Sequence, residues 1–211
     1  MDGVLFLSSE IHYQAYCEAL AAEPVEVLDY RELSGMRTDS AIQKIFNKSG
    51  IVLNPEKLQE LVSRKRGFAS EMLRKQPPVA TDCNKVIAEF YRRGIPMALA
   101  SSSSSQNVQL FLESSGTRNF FSVILSGDDV KNAKPDPEIF RIARTCFGIL
   151  PEFCFVIEDS ESGIRSAQAD GMKVIGVVAQ HTQKELKLFG TVATISRLDE
   201  LLKLSLFQSN I

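Results

Sequence analysis

Val156-Ile157-Glu158-Asp159-Ser160-Glu161-Ser162-Gly163 is an apolar run that ends in two adjacent carboxylates and then opens a helix on small residues. Apolar strands that stop abruptly in acids put charge at the carboxyl edge of a parallel sheet, where open α/β folds hold their ligands. Neighbouring carboxylates repel each other, so the pair calls for a cation shared with the substrate. Mg²⁺ takes carboxylate oxygens and keeps waters for a phosphate, and the stretch therefore reads as a magnesium-dependent phosphate site.

Around this stretch, from Gln76-Pro77-Pro78 onward, helices and strands alternate. The pattern predicts helices over Asp82–Arg93, from near Gln106 to about Ser115, and over Pro137–Phe147, Glu161–Ala169 and Asp199–Leu204. Between them it predicts strands over Pro96–Ala100, Ser122–Leu125, Phe153–Ile157 and Lys173–Val178. Such alternation implies parallel pairing with right-handed crossovers, an α/β fold built on a doubly wound parallel sheet. Before it, from about Ser8 to Gln76, the periodicity is helical and no strand is predicted. Helices are expected over His12–Ala22, over Thr38–Ser49 with Ile42, Ile45 and Phe46 on one face, and over Pro55–Lys75. Asn54 and Pro55 suit the cap and first turn of the last of these.

Two further features point at the same sheet edge. The run Ser101–Ser105 follows the apolar Met97-Ala98-Leu99-Ala100 directly and precedes a helix. A strand-to-helix turn of small hydroxyl residues offers N–H and O–H donors to a phosphate, with Ser101 the foremost contact and Ser102 next. Lys134 lies in Asn132-Ala133-Lys134-Pro135-Asp136-Pro137, ahead of a helix that proline starts. A cation there offsets both phosphate charge and neighbouring carboxylates.

Composition excludes several classes. The chain has 211 residues, 44% hydrophobic and 24% charged, within the range of one domain or one domain with a small insert. A formal net charge of −2 gives no case for nucleic-acid or bilayer attraction. No apolar run approaches the roughly 20 residues of a membrane span, and no charged-then-apolar leader is visible. Cys17, Cys83, Cys146 and Cys154 lie far apart, as expected of reduced, buried thiols in a cytoplasmic protein. The expected partner is a small phosphorylated metabolite, and the expected state is a monomer or weak dimer.

With Asp2-Gly3-Val4, Ser101, Lys134-Pro135-Asp136-Pro137 and Glu158-Asp159 in this order, the chain resembles the haloacid dehalogenase-like phosphohydrolases over nearly its whole length. The resemblance is to the branch that includes β-phosphoglucomutase and phosphoglycolate phosphatase. Each motif alone is weak; four in register, each at its strand end, are specific. The resemblance implies a phosphohydrolase that works through an aspartyl-phosphate with Mg²⁺. Asp2 matches the acid/base that protonates the leaving oxygen, and stands with Glu158 and Asp159 in the metal set. Ser101 matches the hydroxyl that holds the transferring phosphoryl oxygens, and Lys134 the cation that steadies nucleophile and phosphate.

The resemblance also divides the chain. Residues 1–7 and 81–211 match a Rossmann-like core, and residues 8–80 match a small, all-helical cap inserted after the first motif, with Ser8-Ser9 and Pro77-Pro78 as its connections. His12 is similar to a position that couples cap closure to the acid/base, and Lys65 to a cap lysine that approaches the substrate. Ser34-Gly35-Met36-Arg37 resembles a specificity loop, with Arg37 or Thr38 meeting the leaving group. Leu7 stands where relatives commonly carry an acid. The family's nucleophile belongs immediately before Met1, at the end of a central strand that this sequence does not contain. A shortened sequence, its start displaced to an internal methionine or its beginning trimmed, is the favoured explanation over a natural pseudoenzyme, and the chain as written is expected not to turn over. Phosphatase and phosphotransferase share all four motifs, and a relative that only binds a ligand or partner is the further alternative.

Overall fold

The computed structural model describes residues 1–207. Its first half is helical: α1 (Ser9–Leu20), α2 (Tyr30–Leu33), α3 (Thr38–Lys48) and α4 (Pro55–Lys75). The expected cap of α4 is present, with the Asn54 side chain accepting from Lys57 N at 2.7 Å and Pro55 in the first turn. The one-turn α2 escapes a periodicity reading because it is too short to show a period, and the Asp29 carboxylate caps it through Arg31 N. Tyr16, Leu20, Leu33, Ile42, Ile45, Phe46 and Leu61 fill a cluster of their own among these helices. The face predicted for α3 is the buried one.

The second half alternates as read: α5 (Cys83–Arg92), β1 (Ala98–Ala100), α6 (Ser105–Ser115), β2 (Val123–Leu125), α7 (Glu138–Phe147), β3 (Phe155–Glu158), α8 (Glu161–Ala169) and β4 (Lys173–Val177). Two elements were not read from sequence, α9 (Gln183–Leu188) and β5 (Ala193–Ile195). Both are short, and α9 is marked only by the capping box between Thr182 and Glu185. The expected closing helix is a 3₁₀ stretch, Leu198–Lys203.

All strand pairs are parallel, but the sheet is in two pieces, β1–β2 and β3–β4–β5. The edges of β1 and β3 face a common groove of about 310 Å³, lined by Pro96–Ala100 and Phe153–Glu158 and floored by Val86, Ile87 and Phe90. Met1 sits at the mouth of this groove and also lines the polar cleft beyond it. Residues 1–6 form a tight turn in which Met1 O accepts from Val4, Leu5 and Phe6 N, and Gly3 stands at φ +68°. Phe6 then bridges to Val79, tying the start of the chain to the end of the helical half. The four cysteines are free thiols, but only Cys83 is buried; Cys146 is exposed because α7 turns it to solvent. No helix among the described residues is long and apolar enough to cross a membrane.

Candidate active site

Parallel strands deliver their following loops to one edge, and there Asp2, Ser101, Lys134, Glu158 and Asp159 line a single cleft. Asp2 is its hub. Oδ1 accepts from Ser8 Oγ at 2.5 Å and pairs with His12 Nε2 at 3.1 Å, while Oδ2 accepts from Ser103 Oγ at 2.8 Å and Ser101 Oγ at 3.2 Å. Burial would raise the Asp2 carboxyl, but the hydrogen bond from His12, with nearby positive charge and the bond from Ser8, holds it well below the ordinary range. A carboxylate has about four lone-pair positions, and all of those on Asp2 are engaged. Glu158 and Asp159, the acids that the resemblance groups with Asp2 around a metal, line the same cleft.

Those acids are arranged unequally. Glu158, the last residue of β3, accepts from Lys134 Nζ at 2.6 Å and from Ser160 Oγ at 2.9 Å, all within the protein interior. Burial works against its charge, and the Lys134 ammonium holds its carboxyl below the usual value. Gly163, one turn into α8, makes the room: a Cβ there would stand 2.1 Å from the Glu158 carboxyl carbon. Asp159 receives no side-chain hydrogen bond among the described residues, and its carboxylate lies against the Gly3 backbone, where a Cβ would meet Oδ2 at 1.9 Å. Burial, and next the Glu158 carboxylate, push its carboxyl up to about 7.

A buried carboxyl resisting ionisation beside a second, paired carboxylate is a site short of positive charge. No group of three or more His, Cys, Asp or Glu among the described residues is arranged to hold a metal. Mg²⁺ does not require one, since one or two carboxylates suffice when waters and a substrate phosphate complete its shell. Asp159, with Glu158 behind it, fits that ion.

The helical half covers the cleft from above. His12 and Thr38, Lys65 and Arg66 all line it, with Tyr16 and Tyr30 as aromatic walls. Lys65 Nζ lies 3.1 Å from His12 Nδ1 and 4.4 Å from the Tyr16 ring centroid. Burial pulls its ammonium down to about 7, and burial with the Lys65 charge lowers His12 as well. Arg37 does not line the cleft. Its guanidinium pairs with Asp39 at 2.8 Å and donates to Val130 O at 3.0 Å and Lys131 O at 3.4 Å, so it bridges the helical half to the loop after β2. The Asp39 carboxylate two residues on draws it away from where the sequence had placed it.

Further contacts close the same seam. Ser102 Oγ donates to Gly35 O at 2.7 Å, Ser162 Oγ to Ser34 O at 3.1 Å, and Arg66 pairs with Asp128 at 2.9 Å. Ser102 is thus engaged by the loop above it. Gly35, at φ +74°, allows that approach, for a Cβ would lie 2.1 Å from Ser160 Oγ. The cleft is narrow, about 50 Å³, room for three or four waters. Sequence reasoning gave Ser103 less weight than Ser101 and did not single out Ser8, Ser160, Arg66 or Asn107 as site residues. Ser103 alone had a signal, its position two residues after Ser101 in the same turn.

The family described as haloacid dehalogenase-like hydrolase matches residues 1–177. The chain is 30% identical over 203 residues to the phosphorylated carbohydrates phosphatase of Thermotoga maritima, covering 92% of this chain and 91% of that protein. It is also 30% identical over 171 residues to the chloroplastic 5-amino-6-(5-phospho-D-ribitylamino)uracil phosphatase of Arabidopsis thaliana, covering 81% of this chain but only 44% of that longer protein. Among solved structures, CbbY from Rhodobacter sphaeroides in complex with phosphate superposes with a TM-score of 0.81 at 27% identity, covering 95% of this chain and 93% of that one.

Proposed function

Because the chain belongs to the haloacid dehalogenase-like hydrolases, we propose that it is a magnesium-dependent phosphohydrolase acting on a small phosphorylated metabolite of the sugar-phosphate or phosphoglycolate type. One observation carries this reading. Four stretches far apart in sequence bring Asp2, Ser101, Lys134 and the Glu158–Asp159 pair into one buried cleft. Phosphoryl transfer needs positioning and charge compensation above all, and those are what the cleft supplies.

In this reading residues 8–80 act as a cap over a core of residues 1–7 and 81–211, and the cap must part to admit substrate to so small a cleft. The Ser101 hydroxyl, now on Asp2, turns to a phosphoryl oxygen. Lys134 steadies the phosphoryl group opposite Glu158. When bound at Asp159 and Glu158, Mg²⁺ supplies the charge that lets a carboxylate approach a phosphate dianion. An attacking carboxylate supplied directly before Met1, on a strand seated in the groove between β1 and β3, would reach the phosphoryl group here. Its oxygen would bond to phosphorus as the ester P–O bond breaks, and Asp2, once protonated when the parted cap has withdrawn His12 from it, would pass that proton to the leaving oxygen. Water then attacks the aspartyl-phosphate, Asp2 takes its proton, and phosphate leaves.

The experiment is turnover of p-nitrophenyl phosphate, then of a panel of phosphorylated metabolites, by a chain carrying an apolar strand ending in Asp before Met1. Mg²⁺-dependent turnover, lost when that Asp is replaced by Asn, supports the proposal. Absence of turnover in the extended chain, with phosphate still bound, replaces it with a ligand-binding role. Retention of the phosphoryl group on a second sugar favours the transferase.

A further inference from the structure

The cleft has an end that the phosphoryl chemistry does not use. Arg66 on α4, Ser104 just ahead of α6 and Asn107 in its first turn all line the cleft. Arg66 Nε and Ser104 Oγ are buried, and neither has a hydrogen-bond partner among the described residues. Ser104 is the N-cap of α6, where a serine hydroxyl ordinarily accepts a helix N–H, yet here it makes no such bond. Asp128 substitutes for it. One carboxylate oxygen accepts from Ser105 N at 2.9 Å and the other from Arg66 Nη2 at 2.9 Å. A single carboxylate thereby holds the guanidinium of α4 beside the start of α6 while leaving Nε and the Ser104 hydroxyl unspent. Asn107 is fixed in a similar way. Ser70 Oγ donates to its Oδ1 at 2.8 Å, and Nδ2 keeps no partner among the described residues.

Buried polar atoms without partners are rare in folded proteins, and these two belong to residues that line the same cleft, where a ligand that shifts them would supply the missing partners. The charge of Arg66 is already answered by Asp128, so an added anion would face that carboxylate. What remains is two N–H donors and a hydroxyl, a set that suits neutral hydroxyl groups able to accept and donate in turn.

We propose that Arg66, Ser104 and Asn107 form a specificity subsite for the uncharged, hydroxyl-bearing tail of a phosphate monoester, the end remote from phosphorus. The proposal rests on the reading of the cleft as a phosphoryl site.

Calorimetric binding in Mg²⁺ tests it with four probes: inorganic phosphate, ethyl phosphate, sorbitol 6-phosphate with a polyol tail, and 2-phosphoglycolate with a carboxylate tail. Sorbitol 6-phosphate is expected to bind at least about tenfold tighter than ethyl phosphate. Arg66→Met, Ser104→Ala and Asn107→Leu should each remove most of that advantage while leaving inorganic and ethyl phosphate within about twofold. Ser104→Ala should melt no lower than the parent, because its hydroxyl has no partner to lose, which separates recognition from structure. Equal weakening of all four probes, tighter binding of 2-phosphoglycolate than of the polyol ester, or no preference for the polyol in the parent overturns the subsite alone. Failure of the parent to bind inorganic phosphate overturns the phosphoryl reading, and the subsite falls with it.

Discussion

Lys65 Nζ lies 3.1 Å from His12 Nδ1, and the other nitrogen of that ring pairs with Asp2 at 3.1 Å. An ammonium can only donate, so Nδ1 accepts and Nε2 carries the proton toward the Asp2 carboxylate. A polarised chain thus runs from α4 through α1 to the hub of the cleft.

The chain carries a cost that pH reveals. In the folded state the Lys65 ammonium titrates near 7, against 10.5 when exposed, so between these values the unfolded chain binds more protons. Stability then rises as pH increases across that window, by at most about 1.4 kcal/mol per pH unit. Lys65→Met should flatten this limb and raise stability at pH 7 by about 1–2 kcal/mol. Urea unfolding from pH 7 to 10 measures it, and an unchanged slope would mean that Lys65 is not the buried group responsible.

Asp159 works in the opposite sense. Its carboxyl, raised from 3.8 to about 7, is protonated more readily in the folded chain, so stability falls as pH rises through that interval. Without divalent ions, Asp159→Asn should stabilise the protein at pH 8 by about 1–3 kcal/mol. In the parent, Mg²⁺ should raise the melting temperature by an amount that grows with the logarithm of its concentration. In Asp159→Asn that rise should vanish. Calorimetric melting with and without Mg²⁺ decides both points.

The pair Lys134–Glu158, joined at 2.6 Å in the interior, should be costly to break from one side. Lys134→Ala leaves an uncompensated buried carboxylate, and a loss of about 3–5 kcal/mol is expected. Adding Glu158→Gln should recover much of that loss. If denaturant unfolding shows the two changes to be additive, the pair is not coupled as the geometry requires.

Two glycines make a controlled comparison. Gly3 stands at φ +68°, with Asp159 Oδ2 1.9 Å from where a Cβ would be, so Gly3→Ala should cost more than about 2 kcal/mol. Gly67, inside α4, has nothing within 4 Å of that position, and Gly67→Ala should stabilise by about 0.5–1 kcal/mol. Thermal melting of the two variants should move in opposite directions.

The family of this chain, its parallel α/β core and most of its elements were legible because they rest on local or periodic signals. Apolar runs that end in Glu158-Asp159 and Ser101, and apolar spacing along α3 and α4, need no knowledge of the distant chain. Where the signal is shorter than a period, as in α2, α9 and β5, it failed. The division of the sheet into β1–β2 and β3–β4–β5 leaves a groove between β1 and β3, in keeping with the central strand that the resemblance expects and this sequence does not contain. Only folding could show that Asp2 spends its carboxylate on Ser8, His12, Ser101 and Ser103, while Asp159 receives no side-chain hydrogen bond among the described residues. The same holds for Arg37, which Asp39 and the carbonyls after β2 draw out of the cleft, and for Arg66 and Ser104, which Asp128 sets side by side. Residue types and their spacing determine which chemistry a chain can hold. Burial and the choice of hydrogen-bond partner, which depend on every element at once, decide which of those groups remain free to use it.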